Sequence, residues 1–195
     1  MVSAVNAGTW TVVDNPDLAT DLDNTFGTLF KASNVGNGTQ TPVVLDGIAF
    51  DTVETNVTGA MSAFVSYSGA DPALLNLLNS NRKASEWGGG IAINLTGLTV
   101  GLDYQIQLVL TGAWAGSSAN LYLGSTDYKY VYWGSSVEKV AKYTFEATAT
   151  TATVNMYRNT GDYYLSAYAV HQEIPEPATM VLLGLGTLLG LKRRK

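Results

Sequence analysis

The fold of this chain is decided by residues 103–111, which read Asp103-Tyr104-Gln105-Ile106-Gln107-Leu108-Val109-Leu110-Thr111. Large apolar side chains recur at every second position from Tyr104 to Leu110, and two glutamines and a threonine take most of the positions between and after them. A period of two is that of a β-strand, whose successive side chains point to opposite faces of a sheet. The stretch therefore predicts a strand with one buried face and one exposed face.

The same alternation recurs along the chain. Residues 151–156 carry alanine, valine and methionine on one face and threonine and asparagine on the other. Further strands are predicted at Thr9–Val13, Val43–Phe50, Ala60–Tyr67, Ile91–Leu95, Ala119–Leu123, Tyr128–Trp133, Lys139–Glu146 and Tyr163–Val170. Their number and spacing predict a mainly β fold, namely a two-sheet antiparallel β-sandwich of the jelly-roll or galactose-binding-like type. We expect this domain to span residues 8–172.

One short helix is predicted within the sandwich. Asp71 is a suitable N-cap and Pro72 fits the first helical position. An apolar face follows, made of Leu74, Leu75, Leu77 and Leu78. We expect this helix to end at residues 79–81 and to lie across one open end of the sandwich, where it would cover the core.

The segment Leu95–Tyr104 leads into the deciding strand and contains a tight glycine turn. A leucine, this turn and a tyrosine six residues later resemble the tyrosine corner of Greek-key sandwiches, in which the phenol bonds to backbone upstream. We therefore expect the ring of Tyr104 to be buried and its hydroxyl to bond backbone near Leu98.

The last residues of the chain have a different composition. After Pro175-Glu176-Pro177 comes an apolar run, Ala178–Leu191, which ends in the four cations Lys192, Arg193, Arg194 and Lys195. At about 1.5 Å per residue the run spans roughly 21 Å as a helix, less than the ~30 Å core of a bilayer. Length alone favours a buried core helix, but cations at one end mark the cytoplasmic side of a membrane segment. We predict a C-terminal hydrophobic helix at 178–191 with a basic cytoplasmic anchor at 192–195.

This tail resembles the C-terminal sorting signal of PEP-CTERM proteins, with Pro175, Glu176 and Pro177 as the sorting and processing motif in a signal at 173–195. The resemblance implies export, a transient inner-membrane intermediate, cleavage by an exosortase-type protease, and delivery to the cell surface or extracellular matrix. The domain before it looks like the β ectodomains of such proteins. For that domain the resemblance implies a structural or adhesive role in an extracellular polysaccharide matrix, as in biofilm.

The amino terminus is consistent with export only in part. Val5-Asn6-Ala7 approximates the end of a signal peptide, with cleavage after Ala7, but no charged or apolar region precedes it. We interpret residues 1–7 as the remnant of a signal peptide. An ordinary frayed terminus is the alternative.

Composition excludes several classes of function. The chain has no cysteine, so disulfides, thiol nucleophiles and thiolate metal sites are excluded. The net charge of −5 includes the cations of the tail, so the rest is more acidic still and fits neither nucleic acid nor anionic lipid. His171 is the only histidine, which leaves no His-rich metal site and no Ser-His-Asp triad away from it. We expect His171 to be a solvated linker residue.

No catalytic or metal site is predicted, and the chain is expected not to be an enzyme. A glycoside-active enzyme is the less favoured reading, since no spacing selects a pair among the available carboxylates, Glu54, Glu86, Asp127, Glu138, Glu146 and Asp162. Ca²⁺ is the one cofactor left open. The stretches Asp14–Asp17 and Asp21–Asn24 are rich in oxygen ligands, although such stretches also form plain turns.

Aromatic residues give the remaining indication of a ligand. Trp87, Trp114, Trp133 and Tyr132 lie in or beside predicted loops, as does Tyr130. A flat ring there can stack on a sugar while nearby amides bond its hydroxyls. Packing inside the sandwich is the alternative for the same rings. A carbohydrate-binding module is therefore the alternative function.

Overall fold

The computed structural model describes residues 8–14, 21–35, 42–50, 57–58, 60–62, 77–78, 81–83, 90–112, 116–124, 127–134 and 138–174. These residues form fourteen strands in three antiparallel sheets. The larger sheet contains β1 (Thr9–Asp14), β2 (Thr28–Asn34), β6 (Ala60–Ser62), β7 (Asn81–Lys83), β9 (Asp103–Gly112), β12 (Glu138–Glu146) and β14 (Tyr163–Gln172). The smaller sheet contains β5 (Val57–Thr58), β8 (Gly90–Thr96), β10 (Ser117–Leu123), β11 (Asp127–Trp133) and β13 (Thr151–Thr160). The mainly β, antiparallel fold is as predicted.

The two large sheets form a sandwich. The larger runs in the order β1-β12-β9-β14-β7-β6, with β2 paired to β14, and the smaller runs β11-β10-β13-β8-β5. Their facing side chains form one apolar core, to which β9 contributes Tyr104, Ile106, Leu108 and Leu110 and β13 contributes Ala152, Val154 and Met156. The alternation that predicted these two strands correctly identifies their inward faces.

The outward face of β9 is buried as well, which corrects the prediction of an exposed face. Gln107 and Thr111 are fully buried and Gln105 nearly so. A second apolar cluster covers this face of the larger sheet, where Val109, Val140, Ala167 and Ala169 meet Leu22, Ile48, Phe50, Leu77 and Leu78. Segments distant in sequence thus add a layer to the sandwich that alternation within one strand cannot reveal.

Leu77 and Leu78 are all that the structure describes of the predicted helix. Both have helical conformation and are buried in this second cluster, on the outer face of the larger sheet and not across an open end of the sandwich. The rest of the predicted helix lies outside the described residues.

The segment Val43–Phe50 is a hairpin and not the single strand predicted. β3 (Val43–Leu45) pairs with β4 (Ile48–Phe50) through Asp46 and Gly47, which both have positive φ, 47° and 73°. A two-residue Asp-Gly loop with this backbone is the turn that suits the twist of a hairpin.

The remaining strands confirm most of the sequence-based assignments. β2, β5 and β7 were not predicted, and the predicted strand Ala60–Tyr67 is described only to Ser62. The tyrosine corner is confirmed: Tyr104 is fully buried, and its hydroxyl accepts a hydrogen bond from the Thr99 backbone N–H at 2.9 Å. The same hydroxyl donates to Gln172 Oε1 at 3.3 Å, which ties the corner to the end of β14.

Candidate functional site

The outer faces of the two sheets differ in exposure. That of the larger sheet is covered by the second apolar cluster, whereas that of the smaller sheet carries exposed tyrosines. Tyr128, Tyr130, Tyr132 and Tyr157 are 61%, 52%, 52% and 45% exposed, and Tyr122 between them is half-buried. We call these five residues the tyrosine face. It is the largest group of exposed aromatic side chains among the described residues.

Strand alternation creates the tyrosine face. In β11, Val131 and Trp133 point into the core, so the tyrosines at alternate positions point outward. Tyr122 of β10 is the direct cross-strand partner of Tyr128, and their rings stack at a centroid distance of 5.7 Å. The ring of Tyr157 on β13 meets Tyr122 edge-on at 5.5 Å. These are the favoured geometries for aromatic pairs, so the three rings brace one another across three strands.

Amide side chains lie between the rings. Asn120 is paired in register with Tyr130 on one side and with Tyr157 on the other. Its Nδ2 donates to Asn159 Oδ1 at 3.2 Å, which orients the amide. On the neighbouring pair of strands, Thr153 Oγ1 donates to Asn94 Oδ1 at 3.1 Å. Hydrogen-bonding groups therefore alternate with aromatic surface.

The described outward positions of these strands carry no charged side chain. They are Thr58, Gly90, Ala92, Asn94, Thr96, Ser118, Asn120, Tyr122, Tyr128, Tyr130, Tyr132, Thr151, Thr153, Asn155, Tyr157, Asn159 and Thr160. The face is thus neutral and amphipathic, in a chain whose net charge is −5.

The predicted ligand residues separate in the structure. Tyr132 is exposed on the tyrosine face, whereas Trp133 is fully buried and stacks on Tyr163 at 6.0 Å. A Cβ on Gly112 would lie 2.6 Å from Cγ of Trp133, so the indole fills the space over that glycine. Trp133 is therefore a core residue, as the packing alternative expects. Its ring has no face open to a sugar. Trp87 and Trp114 lie outside the described residues.

His171 is buried, which corrects its interpretation as a solvated linker residue. It lies near the end of β14, and its Nδ1 is 3.3 Å from Gln107 Nε2. Burial lowers the pKa of His171, and the nearby Asp23 carboxylate opposes this only in part. The ring therefore favours its neutral form.

Gln107 connects His171 to the segment before β2. Its amide accepts from Asp23 N at 2.8 Å and donates to Asp23 O at 2.6 Å. Burial opposes ionisation of Asp23, but hydrogen bonds from Thr25 and Gln105, together with the positive charge of Lys142, outweigh it and lower the pKa of this carboxyl. The network fastens this segment to the larger sheet, which is a structural role.

The acidic stretches are occupied by protein partners where they are described. Asp23 Oδ1 accepts from Thr25 N and Oγ1, as in a turn, and Asp14 forms an ion pair with the buried Lys139. Within the described part of the chain, no group of three or more His, Cys, Asp or Glu side chains is placed to hold a metal ion. Residues 15–17 lie outside that part.

The domain ends close to the predicted sorting motif. β14 ends at Gln172, and Glu173 N still donates to Asp103 O at 2.8 Å. Pro175, Glu176, Pro177, the apolar run 178–191 and the basic anchor 192–195 lie outside the described residues. No helix long and apolar enough to cross a membrane is found in the described ranges.

Residues 173–195 match the family of the PEP-CTERM protein-sorting motif. The tail is a PEP-CTERM sorting signal. The signal implies a chain that is exported, passes through the membrane and is processed by an exosortase. The resemblance stated from the residues is confirmed for this segment. Among curated proteins none matches the chain.

Solved structures resemble the sandwich. One is β-glucuronidase 2 of Bacteroides uniformis, 14% identical, with a TM-score of 0.53 over 73% of this chain and 18% of that one. Another is the CBM22-1 xylan-binding domain of Xyn10C from Paenibacillus barcinonensis, 12% identical, with a TM-score of 0.44 over 77% of this chain and 97% of that one. The chain thus spans under a fifth of the length of the glucuronidase. At 14% identity the likeness to the glucuronidase concerns the fold alone.

Proposed function

We propose that the chain is a cell-surface or extracellular-matrix protein with a structural or adhesive role and no catalytic activity. The observation that carries the proposal is the order of its parts: a complete sandwich strand ends at Gln172, and the sorting signal begins at residue 173. In a chain with this arrangement, the folded sandwich is the part that the signal exports. An adhesive role requires an exposed contact surface, and the tyrosine face supplies one.

The boundary between domain and signal suits processing. Pro175 and Pro177 fix φ, lack backbone donors and disfavour helix in the residues before them, so a membrane helix cannot propagate into the sandwich. Two residues, Glu173 and Ile174, separate the end of β14 from the first proline. Removal of the tail would leave β14 and its pairing with β9 and β2 intact.

A carbohydrate-binding module is the second candidate function. It is favoured by a specific observation, the combination of exposed rings and amides on the tyrosine face. The two candidates are compatible, because a protein that binds a polysaccharide is held in a matrix by it.

The test combines fractionation with a cell-settling assay in bacteria that express an exosortase. Changing Pro175, Glu176 and Pro177 together to alanine should leave the chain full length in the inner membrane and remove its contribution to settling. Pro42→Ala, an exposed proline before β3, is the matched control and should be processed normally. Normal surface delivery of the triple variant would refute the sorting step. Release of sugar from a polysaccharide by the purified chain would refute the non-enzymatic part.

A further inference from the structure

We infer that the tyrosine face is a binding site for a neutral polysaccharide. The inference rests on the proposed function, since it identifies the surface that would hold an exported chain in a glycan matrix. It differs from the sequence-based expectation, which included the buried Trp133 and relied on loops. The site is instead a sheet surface formed by β10, β11 and β13.

The side chains of the tyrosine face have the chemistry that a sugar requires. The C–H faces of sugar rings are apolar while their rims are hydroxyls, so a complementary protein surface alternates flat aromatic area with hydrogen-bonding groups. The tyrosine face has this alternation, because Asn120 lies in register between Tyr130 and Tyr157. The phenol hydroxyls add donors and acceptors at the edges of the rings.

Several side chains of the tyrosine face are preorganised for binding. Binding costs free energy when mobile side chains are immobilised, and tyrosine has few rotatable bonds to lose. Tyr122 contacts Tyr128 and Tyr157 at once, and Asn120 is already held by Asn159. These three rings and the amide are therefore largely fixed before any ligand arrives.

The absence of charge on this surface selects the class of polysaccharide. The described outward positions of the smaller sheet carry no cation that could pair with a carboxylate or sulfate. The chain as a whole is acidic, so it repels polyanions at long range. An uncharged glycan fits this surface, and an acidic one does not.

A second protein is the competing occupant, since tyrosine is also common at protein interfaces. The core of such interfaces is rich in apolar surface. The same outward positions include no Leu, Ile, Val, Met or Phe. Asn120, Asn155 and Asn94 would instead be buried against the partner and would each need hydrogen bonds. The composition of the face favours a hydroxyl-rich ligand.

The experiment measures binding of the full-length chain to insoluble polysaccharides by depletion from solution. The chain is kept in a polyoxyethylene detergent, because a sugar-headed detergent would compete for the site. The neutral probes are cellulose, β-mannan and β-1,3-glucan, and the acidic comparator is cross-linked pectate. The variants are Tyr130→Ala, Tyr157→Ala and Asn120→Ala, and the control is Val44→Ala, an equally exposed side chain on the β3–β4 hairpin.

The expected result is saturable binding to at least one neutral probe and weaker or no binding to pectate. Each tyrosine variant should bind about tenfold more weakly, as for a well-packed contact residue, and Val44→Ala should bind as the parent does. Unchanged denaturant midpoints show that the variants are folded, and Asn120→Ala tests the site without removing a ring.

Three outcomes would overturn the inference. In the first, the chain binds no neutral probe. In the second, the tyrosine variants bind the neutral probe as well as the parent does. In the third, the chain is a dimer that Tyr130→Ala converts to a monomer, which assigns the face to a second copy. Each is distinguishable from failure of the proposed function, because surface delivery and settling are scored separately in cells.

Discussion

Replacing Tyr104 with phenylalanine tests the tyrosine corner while leaving the core volume unchanged. The hydroxyl accepts a hydrogen bond from Thr99 N at 2.9 Å and donates one to Gln172 Oε1 at 3.3 Å. The ring that carries this hydroxyl is fully buried. A paired hydrogen bond contributes about 1 kcal/mol net, and the longer bond to Gln172 adds less. We expect Tyr104→Phe to lower the free energy of unfolding by about 1 kcal/mol. With a urea m value of about 2 kcal/mol per molar, the midpoint should fall by roughly 0.5 M.

The assay is equilibrium urea unfolding followed by far-UV circular dichroism. The matched control is Tyr130→Phe, which removes a phenol hydroxyl from a ring that is 52% exposed and should change stability by less than about 0.5 kcal/mol. An unchanged midpoint for Tyr104→Phe, or equal shifts for the two variants, would refute the argument that the corner stabilises the fold.

Three further predictions concern the domain. Removal of residues 175–195 should yield a soluble chain with one cooperative unfolding transition, because the two large described sheets bury a common apolar core between them; aggregation or loss of cooperativity would place the apolar run in that core. Trp133→Ala should lower the free energy of unfolding in urea by about 3–5 kcal/mol, as for other buried aromatics. Tyr132→Ala should lower it by less than about 1 kcal/mol, because that ring is exposed. Similar losses for the two variants would contradict the placement of the two rings on opposite faces. Because burial lowers the pKa of His171 in the folded state, the unfolded chain takes up a proton first as the pH falls below about 6.5. Stability should therefore decline as the pH falls through about 6.5, and His171→Gln should flatten this decline; an equal decline in the variant would assign it to other groups.

The sequence predicted features that depend on neighbouring residues. The inward faces of β9 and β13 follow from their alternation, and the buried hydroxyl of Tyr104 follows from the glycine turn before it. The sorting signal is likewise local, since its prolines, apolar run and cations are contiguous.

Features that depend on distant segments were not predicted. Gln105 and Gln107 look like the exposed face of a strand, but contacts with Asp23, His171 and the second apolar cluster make that face buried. No pattern within residues 103–111 carries this information. The burial of His171 was missed for the same reason.

Two other features are visible in the local sequence. Asp46-Gly47 between two apolar runs is a hairpin signal, and it divides Val43–Phe50 as the structure shows. Tyr132 and Trp133 are adjacent in one strand, so their side chains point to opposite faces and cannot both contact one ligand. Alternation along β11 also groups Tyr128, Tyr130 and Tyr132, which was enough to indicate the exposed row.

The most direct test of export and sorting is the intact mass of the chain recovered from the cell surface. The PEP-CTERM signal predicts a mature form that has lost the apolar run 178–191 and the basic anchor 192–195 through cleavage within residues 173–195, and that depends on an active exosortase. Recovery from the surface of a chain that still ends at Lys195, or of the same shortened mass in cells without exosortase activity, would contradict the assignment.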